Sequence, residues 1–341
     1  MPFFIFNSFI LVVLISSSAA FAWGERGHHA ICEAASRLVE EKDFKEFLEA
    51  RGHQLGHLCN IPDIHWRSLE AAKLSVGNPS HYLNPEVAET TLENLSSDFK
   101  AIAKKLGIKP KDLNEKMGSV WWRADQFYKL ALKNAGQAVG EEKPKTREDK
   151  QDDDFPYNEA IYQMLVAMGV MGHFVGDAAQ PYHNVLDYDG WAKKRGGIHS
   201  YYETQIVDEL DLNLVEKIYS KARLNRKEKL SKKSVIERMR DLSVSARNDL
   251  KKLEDIDKIL KPSRTSINKY GMEFKIYAKR EAPEKVAKKF EPLIVDQMAR
   301  ASLLLAEFWD QIYREAGRPK IKSYRSFRYP LAPDFIAPDY F

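Results

Sequence analysis

Apolar residues recur at three- and four-residue intervals through 38–48, 95–106, 120–132, 161–175, 235–253 and 286–316. That interval is the period of a helix that buries one face, so each stretch is predicted helical. The last is the clearest, with Val286, Phe290, Leu293, Val295, Met298, Leu304, Leu305, Phe308 and Ile312 on one broad face. It should stop at Gly317: glycine accepts the left-handed conformation past a helix end, and Pro319 cannot continue the helix. Alternating β-branched runs between turn pairs are scarce, which leaves strands a minor role. The pattern predicts a mainly α fold.

Two segments break it. Residues 136–156 are rich in charge and carry Asp152, Asp153 and Asp154, which reads as a surface loop with solvated carboxylates. Residues 318–341 hold Pro319, Pro330, Pro333 and Pro338 among many aromatics, the composition of an extended arm lying on a domain. No internal repeat or linker divides the rest, so 23–317 is expected to be a single domain.

Residues 1–22 contain no charged side chain, and the apolar run 9–15 is far short of the roughly 20 residues needed to span a bilayer. Ala20-Phe21-Ala22 has the small-x-small form of a secretory cleavage site, although no Lys or Arg precedes the run. The segment is read as a signal peptide removed before Trp23, with a short membrane anchor as the alternative. A secreted or periplasmic location follows. Disulfides are permitted there, and the sequence leaves open whether Cys32 and Cys59 pair.

Composition narrows the classes. Hydrophobic residues at 44% and charged residues at 30% allow a sizeable core and exclude a disordered polyelectrolyte or a polytopic membrane protein. Two cysteines exclude a cysteine-built zinc scaffold. The net charge of +4 hides an asymmetry: residues 221–289 hold 22 Lys and Arg against 10 Asp and Glu. Such a segment suits a phosphate-tracking surface, an anionic lipid surface or simply a solvated helical face.

The histidines carry the chemistry. His173 and Asp177 stand four apart, as do His199 and Glu203, so each pair shares a helix face and can grip a divalent ion. His183 lies between the pairs, just past Pro181. Upstream, Asp63 and His81 sit close to prolines, where the chain extends or turns. A chain beginning Trp23-Gly24-Glu25-Arg26-Gly27-His28 would also offer its α-amine as a metal ligand.

In this order the residues resemble the superfamily of secreted zinc-dependent phosphodiesterases that contains the fungal single-strand nucleases of the S1/P1 type and the bacterial zinc-dependent phospholipases C. The resemblance spans about 23–317 and rests on the Trp-Gly start with Gly-His, an Asp, a His followed by an aromatic, His-x3-Asp-x5-His and His-x3-acid. It implies a helical domain with a three-zinc (Zn2+) cluster in a cleft. Asp63, His81, His173 and Asp177 would hold one ion. The Trp23 amine and carbonyl, His28 and a bridging Asp177 would hold a second, and His183, His199 and Glu203 a third. His29, His53, His57 and His65 have no place in the set.

The implied activity is phosphodiester hydrolysis by a zinc-activated hydroxide, with Asp63 also orienting the nucleophile. Tyr82 would stack a base, and Asn84, where an Asp is common, would contact substrate. The Trp23-to-His28 spacing is nuclease-like, whereas Glu203 and the short His183-to-His199 gap are phospholipase-like. The cationic 221–289 segment suits a polyanion better than a zwitterionic lipid. The expected protein is therefore a secreted nuclease and 3′-nucleotidase acting on single-stranded DNA or RNA. Phospholipase C is the alternative, and a non-catalytic, zinc-stabilised basic binding protein a lesser one. No stable protein partner is expected, and the chain is expected to be a monomer.

Overall fold

The computed structural model describes residues 23–226, 232–326 and 328–341, so the predicted signal segment lies outside the described residues, as does 227–231 of the basic stretch. The protein is mostly helical. Its helices are α1 (Gly24–Leu38), α2 (Lys42–Glu49), α3 (Gly52–Ile64), α4 (Ala71–Gly77), α5 (Phe99–Leu106), α6 (Pro110–Met117) and α7 (Val120–Gly140). These are followed by α8 (Arg147–Gln151), α9 (Pro156–Ala179), α10 (Ile198–Ser200), α11 (Leu214–Asn225), α12 (Val235–Asn248), α13 (Leu250–Ile256) and α14 (Pro283–Glu315). None of the described helices is long and apolar enough to cross a membrane.

The axis of the fold is α9. Nearly every residue from Tyr157 to Ala179 is buried, as expected of a helix that is apolar all round. α1, α3, α7, α12 and α14 surround it. One stripe of α9 is built of Gly169, Gly172 and Gly176, and there α1 and α3 come close. A Cβ at Gly172 would collide with Cys32 Sγ, and one at Gly176 would stand 2.9 Å from His28 Nδ1. Cys32 and Cys59 are both buried free thiols in this packing.

Several boundaries depart from the periodicity. The stretch 38–48 straddles a break, because α1 ends at Leu38 and α2 starts at Lys42. The Asp310 carboxylate on α14 accepts from the Glu40 and Glu41 N–H groups and holds that break. The stretch 235–253 is two helices joined at Asp249, which Arg300 and Gln297 draw towards α14. Within 136–156, α7 runs on to Gly140, and a Thr146/Asp149 capping box starts α8. Asp152, Asp153 and Asp154 are exposed.

Among the described residues, strands are confined to one nested hairpin. β1 (Ile259–Lys261) pairs antiparallel with β4 (Lys279–Arg280), and inside it β2 (Arg264–Ile267) pairs with β3 (Glu273–Ile276). After α14 the chain turns through Gly317, at φ +88°, and residues 318–341 run mostly extended over α3 and α7. Trp66 Nε1 donates to the Pro333 carbonyl at 3.0 Å, Gln126 Nε2 to Ala337 at 2.7 Å, and Arg123 to Ile336.

Candidate metal centre

The centre forms where α9 ends. His173 and Asp177 occupy its last two turns, and Pro181 stops the helix and bends the chain so that His183 returns over it. α3 supplies Asp63 from its final turn, and α1 supplies His28. His81 closes a 3-10 turn after Pro79. That turn is laced to its neighbours: Leu83 N–H donates to the His183 carbonyl at 2.8 Å, and Ser119 N–H to Pro79 at 3.0 Å. His199 and Glu203 come from α10 and the π-helical turn Tyr201–Ile206 that continues it. Single π turns are frequent at functional sites.

Two groups of side chains result. In the inner group, His81 Nδ1 lies 3.1 Å from Asp177 Oδ2 and 3.7 Å from Asp63 Oδ1. His173 Nε2 lies 2.9 Å from His81 Nδ1, 3.3 Å from Asp177 Oδ2 and 3.9 Å from Asp63 Oδ1. His28 joins from the other side, with Nε2 3.4 Å from Asp177 Oδ1. In the outer group, His199 Nε2 lies 3.0 Å from Glu203 Oε2 and 3.2 Å from His183 Nε2, which is 3.6 Å from Glu203 Oε2. All eight side chains are buried.

The donor chemistry identifies what belongs between them. His173, His183 and His199 each direct Nδ1 at a backbone carbonyl, of Cys59 at 2.7 Å, His81 at 2.5 Å and Tyr188 at 3.0 Å. A carbonyl only accepts, so each Nδ1 carries the proton and each Nε2 presents a lone pair. In the outer group two such lone pairs and a carboxylate oxygen then face one another. Against its burial, Glu203 holds the His199 imidazole above its usual value, so a proton shared between His199 and Glu203 satisfies this group, and a divalent cation can take that proton's place. Ligands about 2.0–2.2 Å from a tetrahedral zinc stand about 3.3–3.6 Å apart, within the 2.9–3.9 Å range over which these donor atoms face one another. Asp177 Oδ1 and Oδ2, Asp63 Oδ2 and Glu203 Oε1 are buried without a hydrogen-bond partner among the described residues.

Electrostatics agree. Burial lifts the Asp63 carboxyl to about 7 against the pull of Arg67. Burial also lifts Asp177 well above the carboxylate range, and Asp63 and Glu203 add to it. Burial holds His81 and His173 well below the usual imidazole value, with Arg67 and His28 contributing. Of the three carboxylates only Glu203 falls, to about 2, because His199 and His183 outweigh the burial that would raise it. The cluster is short of positive charge. Its residues therefore fit divalent cations, and three groups can hold one: His81 with His173 and Asp177; His28 with Asp63 and His173; and His183 with His199 and Glu203.

Trp23 is the first described residue. It is fully buried beside the cluster, and its Nε1 donates to the Gly176 carbonyl at 2.8 Å, next to Asp177. A cleft of about 400 Å³ opens above the metal groups, lined by Arg67, His81, Tyr82, Asn84, Tyr188 and His199 among others. The Tyr82 hydroxyl donates to the Glu115 carbonyl at 3.0 Å, which fixes the ring on the wall, and burial pushes the phenol up to about 12. Asn84 Oδ1 is buried there with no hydrogen-bond partner among the described residues.

Sequence reasoning missed two residues of this site. Arg67 holds Asp63 Oδ1 through Nε at 2.7 Å and Nη2 at 2.6 Å and also lines the cleft. Its i,i+4 spacing from Asp63 was the available signal. Gln180 donates to Glu203 Oε2 at 2.9 Å, and only its place before Pro181 marks it. His29, His53 and His57 lie away from the cluster, with His29 5.0 Å from His53 and His57 5.3 Å from the Tyr329 ring. His65 stands 6.1 Å from His57.

These features define a class: a helical protein whose buried imidazoles and carboxylates are set to hold divalent cations beneath a cleft. The sequence profile of the S1/P1 nuclease family matches residues 23–314. The chain belongs to that family and is a nuclease-type phosphodiesterase. A search of curated proteins finds no significant match.

Proposed function

We propose that the protein is a secreted, zinc-dependent nuclease and 3′-nucleotidase that hydrolyses single-stranded DNA or RNA. The observation that carries the reading is the set of buried His, Asp and Glu side chains whose ligand atoms lie within 4.8 Å of one another, close enough to hold divalent cations. Asp63, His81, His173 and Asp177 would hold one zinc, Trp23, His28 and Asp177 a second, and His183, His199 and Glu203 a third. Zinc held there supplies a Lewis acid and brings the pKa of water to about 7.

The chain does the rest. Asp63, fixed by Arg67, has its second oxygen free of donors and orients the attacking water. Arg67 neutralises a phosphate oxygen as charge develops. Tyr82 stacks a base, an interaction of about 1–3 kcal/mol. Asn84 Oδ1 accepts from the sugar or base. Gln180 keeps Glu203 pointed at His199.

Incubation of the purified chain beginning at Trp23 with single-stranded DNA, RNA, a 3′-nucleotide and phosphatidylcholine tests this. Hydrolysis of the nucleic acids is expected. Hydrolysis of lipid alone would establish a phospholipase instead, and inertness towards all four would favour a binding protein.

A further inference from the structure

The nested hairpin β1–β4 stands apart from the rest of the surface. Between Lys258 and Arg280 it carries seven cationic side chains against one carboxylate. Of the eleven large apolar side chains left exposed among the described residues, six are on it: Leu260, Ile267, Tyr270, Met272, Phe274 and Tyr277. Nothing in the packing of the domain requires these rings in water. A short hairpin exposing them has little stability of its own, so its contacts with the domain must hold it.

Those contacts lead to the metal centre. Ser263 N–H donates to the Lys194 carbonyl and Ala278 N–H to the Gly196 carbonyl, both at 3.0 Å. Gly196 N–H donates to Ser263 Oγ at 2.9 Å, and Arg280 reaches the Arg195 carbonyl at 2.5 Å. The hairpin is thus fastened to the loop that delivers His199. Tyr277 lies over Gly197, where a Cβ would stand 3.0 Å from the ring. A second cavity, of about 520 Å³, is lined by Tyr188, His199, Tyr201, Tyr277 and Arg280. It shares Tyr188 and His199 with the cleft, so the surface continues from Tyr82 past Tyr188 to the hairpin.

The tip is ordered by its own backbone. Asn268 Oδ1 accepts from Tyr270 N–H at 2.9 Å and Met272 N–H at 3.0 Å, and Gly271 takes the left-handed conformation at φ +79°. Cations lie against the rings: Lys269 Nζ is 5.0 Å from the Tyr270 centroid and Lys275 Nζ 4.8 Å from that of Trp191. Rings interleaved with cations bind single strands, because every base has a face to stack and every nucleotide a phosphate to neutralise. Because this surface continues into the cleft of a nuclease-family chain, a single strand is favoured over a lipid surface.

We propose that this hairpin is an extended binding platform for single-stranded nucleic acid. Tyr270, Phe274 and Tyr277 stack the nucleotides beyond the scissile bond, while Lys269 and Lys275 contact their phosphates. The proposal rests on the nuclease reading above and adds to it a preference for long substrates.

The test compares the full chain with a Tyr270→Ala/Phe274→Ala variant, both side chains being exposed and outside the metal centre. Affinity of the metal-loaded chain for a fluorescent, hydrolysis-resistant phosphorothioate strand of twenty nucleotides is read by anisotropy, so it does not depend on activity. The variant should bind at least about thirtyfold more weakly, and Tyr270→Trp should bind at least as tightly as the parent. A Lys269→Gln/Lys275→Gln variant should lower the dependence of log K on log salt by roughly 1.4. In kinetics, KM for the long strand should rise while turnover of a dinucleotide stays unchanged. Unchanged affinity in the alanine variant overturns the proposal, as does loss of binding to anionic phosphatidylglycerol vesicles with strand binding intact. If the parent binds the strand through the hairpin but cuts neither substrate, the nuclease reading fails and the platform stands.

Discussion

The two halves of the metal centre are built differently. The inner group draws Asp63 from α3, His81 from a 3-10 turn, His28 from α1 and the pair His173/Asp177 from α9. It forms only when distant parts of the chain pack, and the glycine stripe on α9 lets them approach. The outer group takes His183, His199 and Glu203 from one stretch of 21 residues, held by Gln180 and by the loop fastened to the hairpin. The inner half is thus tied to the core, and damage there should unsettle both folding and chemistry. The outer half should be separable.

Asp177→Asn strikes where the halves of the inner group meet, since Oδ1 faces His28 and Oδ2 faces His81 and His173. Steady-state kinetics on single-stranded DNA should show a loss of on the order of a thousandfold in kcat/KM, equal to about 4 kcal/mol. Elemental analysis should show metal lost from more than one site. His199→Ala should cost on the order of a hundredfold but only one metal equivalent, with the melting temperature little changed. If the inner metals leave with it, the halves are not separable.

One extra residue before Trp23 would turn the proposed amine ligand into an amide. Metal content should fall by about one equivalent and activity by roughly tenfold or more; full activity would remove Trp23 from the ligand set. The smallest effect is expected of Gly176→Ala, whose Cβ meets His28 Nδ1 at 2.9 Å and Cε1 at 3.0 Å. Crowding should destabilise the fold by about 1–3 kcal/mol in denaturant unfolding. The inner metals should weaken and the outer ion be spared.

The same contrast governs what was legible in the sequence. The pairs His173/Asp177 and His199/Glu203 could be read from spacing alone, because local geometry makes them. Asp63, His81 and His28 required resemblance to a family, since nothing local tells which distant turns will meet. α9 and α14 were plain from their apolar faces. α1 was not, because Gly, Ala, His and Cys residues chosen for close approach carry little hydrophobic pattern. The join at Asp249 is fixed by Arg300 on another helix, and no window of sequence contains both. The hairpin escaped notice because its strands are only two to four residues long, too short for alternation to mark them. Gln180 acts through Glu203, and Arg67 both holds Asp63 and faces the cleft, so their roles exist only once the site has formed.

The central claim is that the converging donors are a zinc centre responsible for hydrolysis. Its most direct test is to strip the purified chain with chelator, then follow bound zinc and single-strand hydrolysis together as zinc is returned. The account predicts an inert metal-free protein whose activity returns as binding approaches three equivalents. Undiminished hydrolysis by protein verified to be metal-free would contradict it.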